Sequence, residues 1–95
     1  MTTPRLFAVT VALTADGARA DLMAMAAVLH RRGVEVVEAE FGRPSHSRRV
    51  FSATFVATSQ QAWTVQKTYE GLVDVVDTSL FEALDARSIH ELSVR

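Results

Sequence analysis

Leu29-His30-Arg31-Arg32-Gly33-Val34-Glu35-Val36-Val37 is the stretch that decides the fold. Two arginines close an alanine-rich segment, a glycine follows, and a β-branched run begins at once. A glycine just past a helix supplies the left-handed residue that ends it, and valine runs favour extended chain. The same pattern recurs at Tyr69-Glu70-Gly71, followed by Leu72-Val73-Asp74-Val75-Val76. The chain therefore reads as one strand-helix-strand unit written twice.

Working outward, residues 5–13 set Phe7, Val9, Val11 and Leu13 against the smaller Leu6, Ala8, Thr10 and Ala12. That alternation predicts a strand with one side covered by helices. Thr14-Ala15-Asp16-Gly17 reads as a turn, with Asp16 as a helix cap. A helix over 18–32 puts Leu22, Met25, Ala26 and Leu29 on one stripe,. A second strand over 34–41 leads into a turn-rich connection at 42–47. A third strand over 49–57 carries Phe51, Ala53 and Phe55 on one side. Thr58 and Gln61 match a capping box. The helix they open runs to about Glu70, with Ala62, Val65, Tyr69 and Leu72 in line. A fourth strand is expected over 72–80, and 85–95 reads as a polar tail with weak helical patterning.

The order βαββαβ predicts an α+β, ferredoxin-like sandwich. Two right-handed crossovers put both helices on one face of a four-stranded antiparallel sheet. The first and third strands lie in its middle. The opposite face, built from small residues with no aromatic among them, is left open for another subunit.

The 95 residues make one domain, with a core at about 5–80,. A hydrophobic share of 48% is too high for disorder,. The net charge of −1 gives no broad field that favours nucleic acid or an anionic membrane,. The absence of cysteine excludes disulfides, thiolate metal sites and cysteine nucleophiles,. No apolar stretch approaches the roughly 20 residues of a membrane span, and Met1-Thr2-Thr3-Pro4 has no signal-peptide architecture. A cytoplasmic protein is expected. His30, His46 and His90 lack metal-ligand spacing, and no nucleophile elbow occurs. No enzymatic activity, cofactor or metal is expected.

The two glycine-centred runs resemble those of an ACT domain, and more narrowly of the small regulatory subunit of acetolactate synthase (acetohydroxyacid synthase). In that family the first helix closes on Arg-Arg-Gly, an apolar residue, Asn and a β-branched residue. Here the run is Arg31-Arg32-Gly33-Val34-Glu35-Val36. The family's second helix leads into a Leu-Val-Asp-Val-like segment, here Leu72-Val73-Asp74-Val75. The resemblance spans about residues 5–80. It implies a homodimer that binds a small amino acid, such as valine, between its subunits and modulates a separate catalytic subunit. The family's turn maps onto Asp16, Gly17 and Ala18. An ungapped count back from Gly33 puts Ala20 where its glycine falls. The family's Asn maps onto Glu35, beside Val34.

The chemistry of such a site can be stated for these residues. Backbone N–H groups of a glycine turn at a helix start suit a carboxylate, and Gly17 allows close approach. Glu35 accepts from an ammonium with charge assistance. An apolar wall holds the side chain. The turn here lacks the family's Asn-x-Pro-Gly, and Glu stands for Asn. A subunit that docks on its enzyme without any ligand is the alternative. RNA-recognition modules share the fold, and they stack bases on aromatics of the open face. Here Phe7, Phe51 and Phe55 belong on the helix-facing side, which argues against that reading.

Overall fold

The computed structural model describes residues 3–14 and 21–83. Asp16, Gly17, Ala18 and Ala20, together with the 85–95 tail, lie outside the described residues. The elements are β1 (Arg5–Thr14), α1 (Leu22–Arg31), β2 (Glu35–Phe41), β3 (Arg48–Ala57), α2 (Ser59–Glu70) and β4 (Val75–Glu82). The sheet runs β2-β3-β1-β4 with every pairing antiparallel. This is the expected ferredoxin-like βαββαβ fold, with β1 and β3 central.

The core lies between the sheet and the two helices. Phe7, Val9, Val11 and Leu13 meet Phe51, Ala53, Phe55 and Ala57 from the sheet side, as the alternation predicts. Met25, Val28 and Leu29 come down from α1, and Ala62, Val65 and Tyr69 from α2. The α1 stripe is rotated from the expected one. Val28 is buried, while Leu22 is 45% exposed at the first helical position, where no element covers it. Tyr69 packs on Phe51 and donates its hydroxyl to the Met25 carbonyl at 2.6 Å. Burial pushes its phenol well above the usual tyrosine range, because the phenolate would lose its water,.

Two helix ends differ from expectation. α1 begins at Leu22 rather than near Ala18, and its cap is Asp21, whose carboxylate accepts from the Ala24 amide at 2.7 Å. The alanine-rich pattern runs through both positions, so periodicity alone cannot choose between the two aspartates. Gly33 takes the left-handed conformation, φ 71°, as the first run predicts. Gly71 does not: it caps α2 at φ −79°. Its amide returns to the Lys67 and Thr68 carbonyls, and the Leu72 and Val75 amides return to the Tyr69 and Leu72 carbonyls, so 72–74 run as turns instead of extended chain. β4 therefore starts at Val75, three residues later than expected, and reaches Glu82. Leu72 falls outside the α2 stripe and is 36% exposed. The Thr58–Gln61 capping box is present in both directions, at 3.1 and 2.9 Å.

The β2–β3 hairpin turns at His46 and Ser47, both with positive φ, between two Ser45–Arg48 backbone bonds. Arg49 returns over the Phe41 ring at 3.9 Å and donates to the Gly42 carbonyl at 3.0 Å. Both edge strands carry an irregularity. Val37 has no partner between Val36 and Glu38, and the β1–β4 register shifts between Ala12 and Leu13 so that Val76 has none.

Candidate functional site

Of the residues expected to bind a ligand, the structure describes Val34 and Glu35. Glu35 opens β2 and stands opposite Val56, which pairs with Leu6 near the start of β1. Thr14, after which the chain continues to Asp16, Gly17, Ala18 and Ala20, lies at the other end of β1. From Leu6 to Thr14 a strand spans roughly 26 Å. No side chain of one chain bridges that distance. Val34 is 9% exposed and belongs to the core, so its side chain is not open to a ligand. The Arg-Arg-Gly run orients it there: Gly33 reverses the chain, and the Val34 amide returns to the Leu29 carbonyl. Glu35 is exposed on the face away from the helices.

The β1 end that leads into the turn has its own concavity. A groove of about 280 Å³ lies between α1 and the α2–β4 connection, lined by Leu13, Met25, Val28 and Leu72, with Arg31 and Asp74. Leu13 is the last large residue of β1 before the turn. The Thr14 amide donates to the Asp74 carbonyl at 3.0 Å and ties the connection to that strand end. Neither Arg31 nor Asp74 belongs to an ion pair among the described residues. Apolar walls with one guanidinium and one carboxylate can receive a small molecule that carries both charges and an apolar side chain. Sequence reading passed over this pair. Arg31 reads as a helix-end cation, and Asp74 falls in what was expected to be a strand.

The open sheet face shows one correction. Phe81 stands opposite Ala8 and is 55% exposed on that face, so the face does carry an aromatic. Ending β4 at Leu80 left it unplaced. Leu6 and Ala8, expected to be uncovered, are only 8% and 9% exposed. Thr10 and Ser79 hydroxyls bond across the same face. Base stacking still finds poor support there: one edge aromatic stands among Glu35, Glu38, Glu40 and Asp77.

The remaining candidates are scattered. His30 and His46 are exposed, and no group of three or more metal-ligating side chains occurs among the described residues. Trp63 is 57% exposed on α2, with Lys67 over its ring at 5.5 Å. Met25 is core, while Met23 is 82% exposed. No helix among the described residues is long and apolar enough to cross a membrane.

No family model and no curated protein matches the chain. Solved structures do. The ACT domain of GTP pyrophosphokinase from Chlorobium tepidum superposes with a TM-score of 0.65 at 10% identity, over 83% of this chain and 100% of that one. The C-terminal domain of the MgtC protein from Mycobacterium tuberculosis gives 0.65 at 10% identity, over 83% and 87%. The 30S ribosomal protein S6 from Thermotoga maritima gives 0.62 at 9% identity, over 98% and 100%. At such identities the likeness is one of fold, and the fold is ACT-like. A domain of a GTP pyrophosphokinase and a ribosomal protein share it, so function rests on the residues,.

Proposed function

We propose that the chain is a non-catalytic regulatory module that binds a small amino acid and shifts the activity of a partner enzyme. The observation that carries this reading is the groove at the end of β1, with its apolar walls and its Arg31 and Asp74 charges. The guanidinium suits the carboxylate of an amino acid, Asp74 suits the ammonium, and the walls suit a small aliphatic side chain. The roughly 26 Å between Glu35 and the β1 end adds a second element. Glu35 joins this site only from a second copy of the chain, so the module acts as a homodimer. The narrower form takes valine or a relative as effector and acetolactate synthase as partner. What supports it is the pair of helix-ending runs at Arg31-Arg32-Gly33 and Leu72-Val73-Asp74.

Binding to two states of the partner complex with different affinity transmits the signal, and such couplings are typically about 1–3 kcal/mol. Titration calorimetry with valine, leucine, isoleucine and the other amino acids tests the reading. Heat at micromolar to millimolar ligand is expected. Arg31→Gln should weaken binding about tenfold or more, the worth of one charge-assisted hydrogen bond. Glu35→Ala should weaken it too, with the sedimentation coefficient of the dimer unchanged. Silence at millimolar ligand leaves a subunit that only docks, the reading that Glu in place of Asn at position 35 favours. Loss with Arg31→Gln but not with Glu35→Ala places the whole site in one chain.

A further inference from the structure

The sheet face away from the helices is strongly asymmetric in charge. The β2–β3 register sets Glu35, Glu38 and Glu40 opposite Val56, Thr54 and Ser52, so all three carboxylates share that face. Glu35 and Glu38 are three positions apart, and a regular strand would send them to opposite faces. The unpartnered Val37 absorbs the odd residue and keeps them together,. Across the sheet, Asp77 and Phe81 stand opposite Ala12 and Ala8 on the same face. On the central strands Leu6 of β1 stands opposite Val56 of β3 and Ala12 opposite Val50, so this face carries apolar side chains between its edges. Phe81 and Val50 are 55% and 45% exposed. Arg48, opposite Thr14, is the one cation that the strand register puts on this face among the described residues.

Such a face does not complement itself. Two copies with aligned sheets, related by a twofold axis between the faces, lay β2 over β2 or β2 over β4. The first sets the acidic stripe against itself. The second sets it against Asp77, Ser79 and Phe81, which offer no cation.

We infer that the open sheet face docks a protein with a basic surface. Apolar side chains of that protein cover Phe81 and Val50, and its Lys or Arg side chains meet Glu38 and Glu40 of the acidic stripe. The inference rests on the reading of a module that acts through another protein, and it names the chemistry of that protein's contact. Opposed charges at an interface set the encounter rate and exclude wrong partners, and their effect falls with ionic strength.

The test uses the full chain and two variants, Glu38→Lys/Glu40→Lys and Phe81→Ser; Glu35, which the proposed function gives to the effector site of a second copy, is left in place. Edge strands tolerate lysine well, and thermal melts check that each variant folds. Each is used to capture protein from lysate of the source cell at low salt. Proteins that wild type retains are then produced pure and titrated against all three chains. Carbodiimide coupling, which joins carboxylates to amines in contact, supplies the map. The chain's one lysine, Lys67, lies on α2, behind the sheet, so couplings from the stripe to lysines report on a partner. The expected result is a partner whose affinity falls at least tenfold with the double reversal, several-fold with Phe81→Ser, and steadily with added salt. Glu38 or Glu40 is coupled to its lysines. The inference is overturned if no captured protein depends on the stripe, or if couplings map to the helix layer. It is equally overturned if the reversal changes self-association, or if the stripe couples to a second copy. A calorimetric failure to bind amino acids removes the sensing reading and leaves this result standing.

Discussion

Tyr69 is the side chain on which the helix layer turns. Its ring fills the space against Phe51, and its hydroxyl crosses from α2 to the Met25 carbonyl of α1. Tyr69→Phe keeps the ring and removes the bond, so a loss of about 1 kcal/mol is expected in urea unfolding at neutral pH. The same residue sets an alkaline limit. Its phenol titrates higher in the folded protein than in the unfolded chain. The contribution is fully present below the unfolded value, about 10, and is lost as pH rises from there toward the folded value. The slope reaches about 1.4 kcal/mol per pH unit. Unfolding midpoints of wild type should therefore fall above pH ~10. Tyr69→Phe should lack that extra fall, and parallel curves for the two proteins would show that Tyr69 is not its source.

Among the elements, every strand and helix was legible in the sequence, and their ends were less so. Period-2 and period-3.6 patterns persist through the middle of an element, where packing enforces them. Ends are set by single hydrogen bonds that several residues can make, as with Asp16 and Asp21. The two glycines show the difference. Gly33 stands at φ 71° with nothing within 4 Å of where a Cβ would be. Gly33→Ala thus meets no clash but does meet the left-handed penalty, about 1–2 kcal/mol. Gly71 is at φ −79°, and an added Cβ there lies 3.5 Å from the Thr68 carbonyl oxygen, an ordinary contact. Gly71→Ala should be neutral or gain about 0.4–1 kcal/mol, through a less flexible unfolded chain. Opposite signs in denaturant unfolding are the expected outcome. Equal losses would mean that Gly71 has a role its backbone does not reveal. The edge-strand irregularities at Val37 and Val76 had no sequence signal, because valine suits a paired and an unpaired position equally. Yet the first decides which face carries Glu35. The groove was not legible: the expected turn residues and Glu35 came from the family resemblance, while Arg31 and Asp74 came to line one groove only once α1 and the α2–β4 connection were packed.

At the scale of the whole molecule, the sheet is a ruler that separates β1's far end from Glu35. The proposed dimeric sensor links three equilibria: folding, association and effector binding. A ligand that binds only the folded form stabilises it by about 2.7 kcal/mol at a concentration of 100 times Kd. In a domain of this size 1 kcal/mol moves Tm by roughly 4–8 °C, so saturating effector should raise Tm by roughly 10–20 °C. If the site spans two copies, the Tm shift should also grow with protein concentration, since the effector then draws chains into the dimer. A site contained in one chain gives a shift that is independent of protein concentration. Scanning calorimetry at protein concentrations a hundredfold apart, with and without the amino acid that gives heat, separates the two. A concentration-dependent shift that Glu35→Ala abolishes would tie position 35 to the second copy. A flat response would show that the effector does not drive association.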